Sequence, residues 1–188
     1  MTAETATPSQ VPGPAQPPSP ALCPGLAGFA ADRREGDLTP ARTDLAPGIF
    51  LNADPALQMA GRYSSAAGAF LDLHTAPAGQ GSWFGLHLAL ELPPLQDLAY
   101  LGFACRTAAP EPQILRACLR SGLEDGGFSD CFFDRHILAS ERAHSHLDAL
   151  YLDSQPELPL SAPWRELVLF LPSQGFDLSL MHLHLFAV

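Results

Sequence analysis

The chain has 188 residues, of which 47% are hydrophobic and only 16% charged, so it is long and apolar enough to bury the core of one ordinary domain. Its formal net charge is −10, and all ten basic residues are arginines with no basic run among them. An acidic field of this kind repels nucleic acid and anionic bilayers, and no apolar run approaches the roughly 18 residues of a membrane span. We therefore expect no nucleic acid and no membrane among the partners of this protein.

The N-terminal segment is rich in proline and alanine. Seven of the 19 prolines fall within the first 24 residues, among Ala, Ser, Thr and Gln. Such a composition buries little apolar surface and is typical of a flexible, partly polyproline-II chain. We expect a disordered tail or linker over residues 1–40 and a folded binding domain over residues 41–188. The N-terminus lacks the basic and apolar parts of a signal peptide, which predicts a cytoplasmic protein. The Ala, Pro, Leu, Gly and Arg bias indicates a bacterial coding sequence.

From residue 45 onward, short apolar runs alternate with Pro, Gly, Asn and Asp clusters. Runs of this length separated by turn residues are typical of a sandwich or a barrel. We expect an all-β fold, an antiparallel β-sandwich of the jelly-roll type with about eight to nine strands. The predicted strands are Leu45–Leu51, Gly68–His74, Ser82–Leu92, Leu98–Thr107, Ile114–Arg120, Phe128–Ala139, Ser145–Leu152, Glu166–Leu171 and Asp177–Ala187.

Alternation of side chains supports strands in several of these runs. The leucines of Leu86–Leu92 recur at every second position, as strands with one buried face require. In the last run, Leu178 and Leu180 have the opposite parity to Leu183 and Leu185, which predicts a β-bulge near Leu180. Residues 141–150 also fit a short helix, because Ala143, Leu147 and Leu150 have helical spacing, and we favour the strand there.

The four cysteines, Cys23, Cys105, Cys118 and Cys131, form no Cys-x-x-Cys pair. Three of them lie inside predicted strands, where a free cysteine behaves as a small hydrophobic residue. We expect them to be reduced and structural. The alternative is a disulfide between Cys118 and Cys131 on neighbouring strands.

The order of the runs carries a family resemblance. Gly81–Leu92 leads into Leu98–Arg106, followed by the hairpin strand Ile114–Arg120, by Trp164–Leu171 and by the closing run Phe176–Leu185. In this pattern the chain resembles the carbohydrate-binding-module and galactose-binding-like jelly rolls. The resemblance implies a jelly roll that binds sugars. Many such modules hold a structural calcium through an Asp in the closing strand, where this chain has His182 and His184, so we expect no cofactor.

Sugar binding needs aromatic rings that stack on pyranose faces and planar polar groups that bind hydroxyls. Arg116 and Arg120 share one parity, so a hairpin turn at Glu124–Gly127 would place them on one face with acidic residues of the next strand. The alternative is a solvated face with cross-strand ion pairs. The candidate ligand-binding residues are Trp83, Tyr100, Arg106, Arg116, Arg120, Asp130 and Asp134, with Tyr151 as a further stacking residue. We expect Trp164, Phe103, Phe133 and Phe170 to be core residues.

Two His-x-His pairs, His144/His146 and His182/His184, each place both imidazoles on one sheet face if they lie in strands. Such a pair could hold Zn²⁺ together with His87, His136 or Asp148. The alternative is that these histidines are outward polar residues of half-buried strands.

No enzyme motif is present: the chain has no Gly-x-Ser-x-Gly elbow, phosphate-binding loop, dinucleotide fingerprint or His-Glu-x-x-His. We expect a non-catalytic module that recognises a glycan or polysaccharide surface. One alternative is a structural or assembly subunit of a phage-like particle, a spike or decoration protein that forms a homo-oligomer or larger assembly through its tail. A second alternative is a metal-dependent β-sandwich enzyme.

Overall fold

The computed structural model describes residues 22–66 and 69–188. These residues form one helix and 13 strands, joined by turns that include three short 3-10 segments. The helix of the described residues is too short to cross a membrane. The elements are α1 (Pro24–Ala31), β1 (Arg34–Asp37), β2 (Arg42–Ala46), β3 (Ile49–Ala53), β4 (Gly61–Ser65), β5 (Leu71–Thr75), β6 (Phe84–Leu90), β7 (Tyr100–Ala108), β8 (Gln113–Gly122), β9 (Phe128–Phe132), β10 (Ile137–Ala139), β11 (His144–Tyr151), β12 (Arg165–Leu171) and β13 (Asp177–Ala187).

The strands form two antiparallel sheets that make a sandwich. The six-stranded sheet has the order β1-β4-β5-β13-β7-β11, and the seven-stranded sheet has the order β10-β8-β12-β6-β3-β2 with β9 also paired to β8. Most neighbours in space are distant along the chain, as in a jelly roll. The predicted all-β sandwich is confirmed.

Alternation of side chains builds the core between the sheets. Along β5, Leu71, Leu73 and Thr75 are buried while Asp72 and His74 are exposed. The same period of two runs along β8, where Leu115 and Leu119 belong to the core. Because each strand contributes one face to a shared interior, the opposite faces of both sheets are left for solvent or for a ligand.

The predicted number of strands is too low. The run Leu45–Leu51 is a hairpin rather than one strand, since Gly48 turns the chain with φ +72° between β2 and β3. The run Phe128–Ala139 is likewise divided, because residues 133–136 leave the sheet between β9 and β10. The strands β1 and β4 are mostly polar and carry no apolar run that would reveal them.

The predicted tail of residues 1–40 is wrong for its second half. Residues 1–21 lie outside the described residues. Residues 22–40 include α1 and β1, and the side chains of Leu22, Cys23, Phe29 and Leu38 are buried in the core. Burial of this apolar set outweighs the unfavourable local composition, so residues 22–40 are part of the folded domain.

Two local predictions are confirmed. The pairing of β13 with β7 shifts register between Leu180 and His182, which is the predicted bulge. Residues 144–151 are a strand and not a helix.

All four cysteines are free. Cys118 pairs with Phe132 across β8 and β9, whereas Cys131 pairs with Leu119, so the two thiols point to opposite faces of the sheet. Burial raises the pKa of the Cys105 thiol to about 12 and raises that of Cys118 as well, which keeps both protonated at neutral pH. The alternative disulfide is therefore wrong.

Short segments close both long sides of the sandwich. Residues 38–41 connect β1, at the edge of the six-stranded sheet, to β2, at the edge of the seven-stranded sheet. On the other side, residues 140–143 connect β10 to β11. Both crossing segments are hydrogen-bonded to the sandwich: the Pro40 carbonyl accepts from Met59 N at 3.2 Å, and the Ser140 carbonyl accepts from Ala109 N at 2.9 Å.

Candidate functional site

The outer face of the seven-stranded sheet combines arginines with aromatic rings. Arg116 and Arg120 alternate with core residues along β8 and so point outward. The register aligns Arg116 with Phe170 of β12, and places Arg120 between Glu166 of β12 and Asp130 of β9. We call this surface the arginine–aromatic face; its residues are Arg42, Phe50, His87, Arg116, Arg120, Phe128, Asp130, Phe132, Glu166 and Phe170.

Arg120 and Asp130 form a bidentate ion pair across the predicted hairpin. Arg120 Nε donates to Asp130 Oδ1 and Nη2 donates to Oδ2, both at 2.7 Å. This geometry fixes the plane of the guanidinium group. The hydrogen bonds from Arg120 to Asp130 raise the pKa of Arg120, so the group stays charged over the whole physiological range. The hairpin is the one expected from the sequence, and the Arg–Asp contact is a cross-strand ion pair of the kind named in the alternative.

Each of three arginines on the face lies over a phenylalanine ring. The guanidinium carbon is 4.1 Å from the ring centroid for Arg116 over Phe132, and 4.0 Å for Arg120 over Phe128. Near the opposite edge of the sheet, on the same face, the guanidinium carbon of Arg42 lies 3.6 Å from the centroid of the Phe50 ring. Cation–π contacts of this length hold the side chains in place and leave polar N–H groups at the surface.

The aromatic rings also contact one another. Phe132 stacks on Phe170 with centroids 5.7 Å apart, and Phe50 stacks on His87 at 4.8 Å with an interplanar angle of 12°. Phe170 is half-buried on this face rather than in the core, so the prediction for it is wrong, whereas Phe103 and Phe133 are core residues as predicted.

A buried His–Glu pair lies at the centre of the face. His87 Nδ1 is 2.7 Å from Glu166 Oε2, and the two side chains are 3% and 17% exposed. His87 and Glu166 lie on the adjacent strands β6 and β12, next to the Arg120 row. The charge of Glu166 is among the influences that raise the pKa of Arg120. Two polar pairs, His87 with Glu166 and Arg120 with Asp130, therefore lie side by side on neighbouring strands.

The structure separates the predicted ligand-binding residues into groups. Arg116, Arg120 and Asp130 lie together on the arginine–aromatic face. Tyr100 and Arg106 lie on β7, on the outer face of the six-stranded sheet, so they belong to the opposite surface of the molecule. Tyr100 contacts Tyr151 there, with ring centroids 5.2 Å apart.

The two remaining predicted residues lie outside the strands. Trp83 is half-buried and immediately precedes β6, and Asp134 is exposed in the connection between β9 and β10. Neither residue aligns with a row of the arginine–aromatic face. The structure therefore does not bring the seven predicted ligand-binding residues together into one site.

The histidine pairs do not assemble a metal site. His182 and His184 are exposed on the outer face of the six-stranded sheet, and His144 and His146 have the inward parity of β11. His144 Nε2 lies 2.8 Å from the Ser140 hydroxyl, and His146 Nε2 lies 4.0 Å from Asp148. Within residues 22–66 and 69–188 there is no group of three His, Cys, Asp or Glu side chains placed to hold an ion.

Sequence reasoning missed Phe50, His87 with Glu166, Phe128 and Phe132 as members of one surface. Their joint placement depends on the pairing of β3, β6, β12, β8 and β9, which are not neighbours in sequence. The alternation of Phe128, Asp130 and Phe132 in the sequence could have indicated this surface, since it places one aromatic ring on each side of the Asp130 carboxylate.

One groove, of about 680 Å³, lies on the six-stranded sheet and is lined by polar residues that include Glu35, Asp72, His74 and Asp177. Another, of about 460 Å³, lies at one end of the sandwich beside Trp164 and Arg165. Trp164 is 41% exposed, so the prediction that it belongs to the core is wrong.

The fold is similar to that of a solved carbohydrate-binding module of class CBM4, with a TM-score of 0.51 and 8% identity over 67% of this chain and 75% of that chain. Two further solved structures match with TM-scores of 0.47. One is the CBM22-1 xylan-binding domain from Paenibacillus barcinonensis Xyn10C, with 12% identity over 90% of this chain and 98% of that one. The other is the family 11 carbohydrate-binding module of cellulosomal cellulase Lic26A-Cel5E of Clostridium thermocellum, with 8% identity over 88% and 94%.

No protein-family model and no curated protein matches the sequence. At these identities the similarity concerns the fold alone. The chain has a jelly roll of the kind found in carbohydrate-binding modules.

Proposed function

We propose that this protein binds a glycan chain, without catalysis, through the arginine–aromatic face of its seven-stranded sheet. The observation that carries the proposal is the fixed pairing of guanidinium groups with aromatic rings across neighbouring strands. Phenyl rings offer flat apolar surface to the C–H face of a pyranose ring, and arginine N–H groups bind the hydroxyls at its rim.

Preorganisation supports this proposal. Arg120 is held by Asp130 and Phe128, and Arg116 is held over Phe132, so these side chains lose little conformational freedom on binding. The rows extend over several strands, which suits a linear oligosaccharide better than a single small molecule. Similarity of the fold to carbohydrate-binding modules is consistent with the proposal but does not identify a ligand.

A glycan array followed by calorimetry on the positive ligands tests the proposal. We expect Arg116→Ala and Phe132→Ala each to weaken binding at least tenfold, because each substitution removes one half of a stacked cation–π pair of the face. Arg33→Ala is the matched control, since Arg33 is highly exposed and lies away from this sheet.

Arg106→Ala and Tyr100→Ala discriminate between the two outer faces. If the six-stranded sheet were the binding surface, these variants would lose affinity while Arg116→Ala would keep it. That result, or the absence of any glycan bound by folded protein, would overturn the proposal.

A further inference from the structure

Trp164 lies on the same side of the seven-stranded sheet as the arginine–aromatic face. Gly122 has the same parity along β8 as Arg120, so the space above Gly122 belongs to the outer face. The indole of Trp164 fills that space, since a Cβ at Gly122 would lie 2.5 Å from Trp164 Cε2. The next residue, Arg165, points the other way and donates to the hydroxyl of the buried Ser121. Trp164 therefore extends the outer face at the end of β8.

The indole is held in place from several directions. Because Gly122 has no side chain, the ring packs directly on the backbone of β8. Gly122 N donates to the Trp164 carbonyl at 3.0 Å, and the inward Arg165 also donates to the Pro159 carbonyl. Trp164 nevertheless stays 41% exposed. A fixed and exposed indole offers a flat apolar surface that loses little conformational freedom on binding.

Phe128 lies on the other side of Gly122. It pairs with Gly122 across β8 and β9, it is 54% exposed, and Arg120 lies over its ring. Trp164 and Phe128 thus flank one position of β8, and both present ring surface to solvent. A single exposed aromatic residue is ordinary, whereas two at one place beside a fixed arginine form a stacking site for pyranose rings.

A second aromatic site lies further along β8. Phe132, which stacks on Phe170, aligns with Cys118, four residues before Gly122. At about 3.4 Å per residue, the two aromatic sites are about 14 Å apart, with Arg120 between them. One sugar ring is too short to contact both sites. A chain of several rings that follows β8 can contact both.

We infer that Trp164 and Phe128 form a second stacking site, and that the glycan is an extended β-1,4-linked chain running along β8. Chains with equatorial β-1,4 bonds, as in glucan, xylan and mannan, are nearly straight ribbons and can reach both aromatic sites, unlike coiled or densely branched glycans. This inference rests on the proposed function, since it names the class of glycan that the arginine–aromatic face binds.

Calorimetry with cello-, xylo- and manno-oligosaccharides of three and six units tests the inference. We expect at least one hexamer to bind at least tenfold more tightly than its trimer, because only the hexamer is long enough to place a ring on each aromatic site. Trp164→Ala should reduce this gain to less than threefold. Addition of the hexamer should also shift the indole N–H resonance of Trp164, identified as the signal lost in Trp164→Ala.

Two further variants separate stacking from an effect on folding. Trp164→Phe keeps an aromatic ring and should keep a gain of at least threefold from trimer to hexamer. Tyr151→Ala is the matched control, since it removes a ring of similar exposure, 44%, from the outer face of the other sheet. It should leave the binding of both oligosaccharides unchanged.

A hexamer that binds no more tightly than its trimer, a gain that survives in Trp164→Ala, or an unmoved Trp164 resonance would overturn the inference. A gain lost equally in Tyr151→Ala, or the absence of binding to all three series, would overturn it too. The proposed function would survive these outcomes if a glycan still bound and lost affinity in Arg116→Ala. If no glycan bound at all, both proposals would fail.

Discussion

Glu166 lies on β12, between the β6 strand of His87 and the β8 strand of Arg120. Its Oε2 lies 2.7 Å from His87 Nδ1, and the residue pairs with Arg120 across β12 and β8. Both partners of the His–Glu pair are largely buried, so each depends on the other for hydrogen bonding. The stability of the sheet and the arrangement of its outer surface are thus linked at this residue.

We predict that Glu166→Ala lowers the free energy of unfolding by about 1–3 kcal/mol, because it leaves the buried His87 nitrogen without its partner. Urea denaturation followed by circular dichroism measures the change. Glu124→Ala, in the exposed turn between β8 and β9, is the control and should change stability by less than about 0.5 kcal/mol. Equal effects of the two substitutions would contradict this role of Glu166.

His146 gives the fold a pH dependence. Burial lowers the pKa of His146 below its ordinary value of 6.5, and Arg135 acts in the same direction while Asp148 opposes it. The unfolded chain therefore binds a proton at this histidine at a higher pH than the folded protein does. Stability should fall as the pH drops below 6.5, and this contribution should level off below the folded pKa.

We predict that His146→Gln removes this part of the pH dependence, which cannot exceed about 1.4 kcal/mol per pH unit for one proton. The measurement is urea denaturation at several pH values between 7.5 and 5.0, with the slope compared between the parent and the variant. The same loss of slope in His136→Gln, at an exposed position, would contradict the assignment to His146.

At the scale of elements, the segment from residue 22 to residue 40 is part of the folded domain. Its helix and first strand place Phe29 and Leu38 in the core, and Phe29 contacts Phe70 with centroids 5.0 Å apart. The proline-rich composition around residue 24 concealed this, since a composition averaged over a segment does not show which few apolar residues are buried.

We predict that Leu38→Ala lowers the free energy of unfolding by about 2–5 kcal/mol, as expected for a buried leucine. Leu160→Ala is the matched control, because Leu160 is one of the most exposed large apolar residues of the described chain and should cost little. Thermal or urea denaturation of both variants provides the comparison. A Leu38→Ala variant as stable as the parent would contradict the burial of Leu38 and support the expectation that this segment belongs to a disordered tail.

The same scale shows what the sequence could predict. Strands with apolar residues at every second position, such as Phe84–Leu90 and Tyr100–Ala108, were located to within two residues at each end. The polar strands Arg34–Asp37 and Gly61–Ser65 were missed, since they lie toward an edge of the six-stranded sheet and need no continuous apolar face.

For the whole molecule, the class of fold was predictable and the assembly of the site was not. Arg116, Arg120 and Asp130 are close in sequence, so a hairpin argument placed them together correctly. Tyr100 and Arg106 come from a similar pattern but lie on the other sheet, because sheet membership depends on pairing between distant segments. Trp164 was assigned to the core by its flanking strand, whereas its exposure results from lying at the end of the sandwich.

The two crossing segments have a mechanical consequence. Because a short covalent connection joins the two sheets along each long side, the sandwich has a closed cross-section. Force applied to the outer surface of one layer is transmitted to the other through both connections, which restrict sliding of the layers past each other. Two such connections therefore restrict changes in the shape of both outer faces.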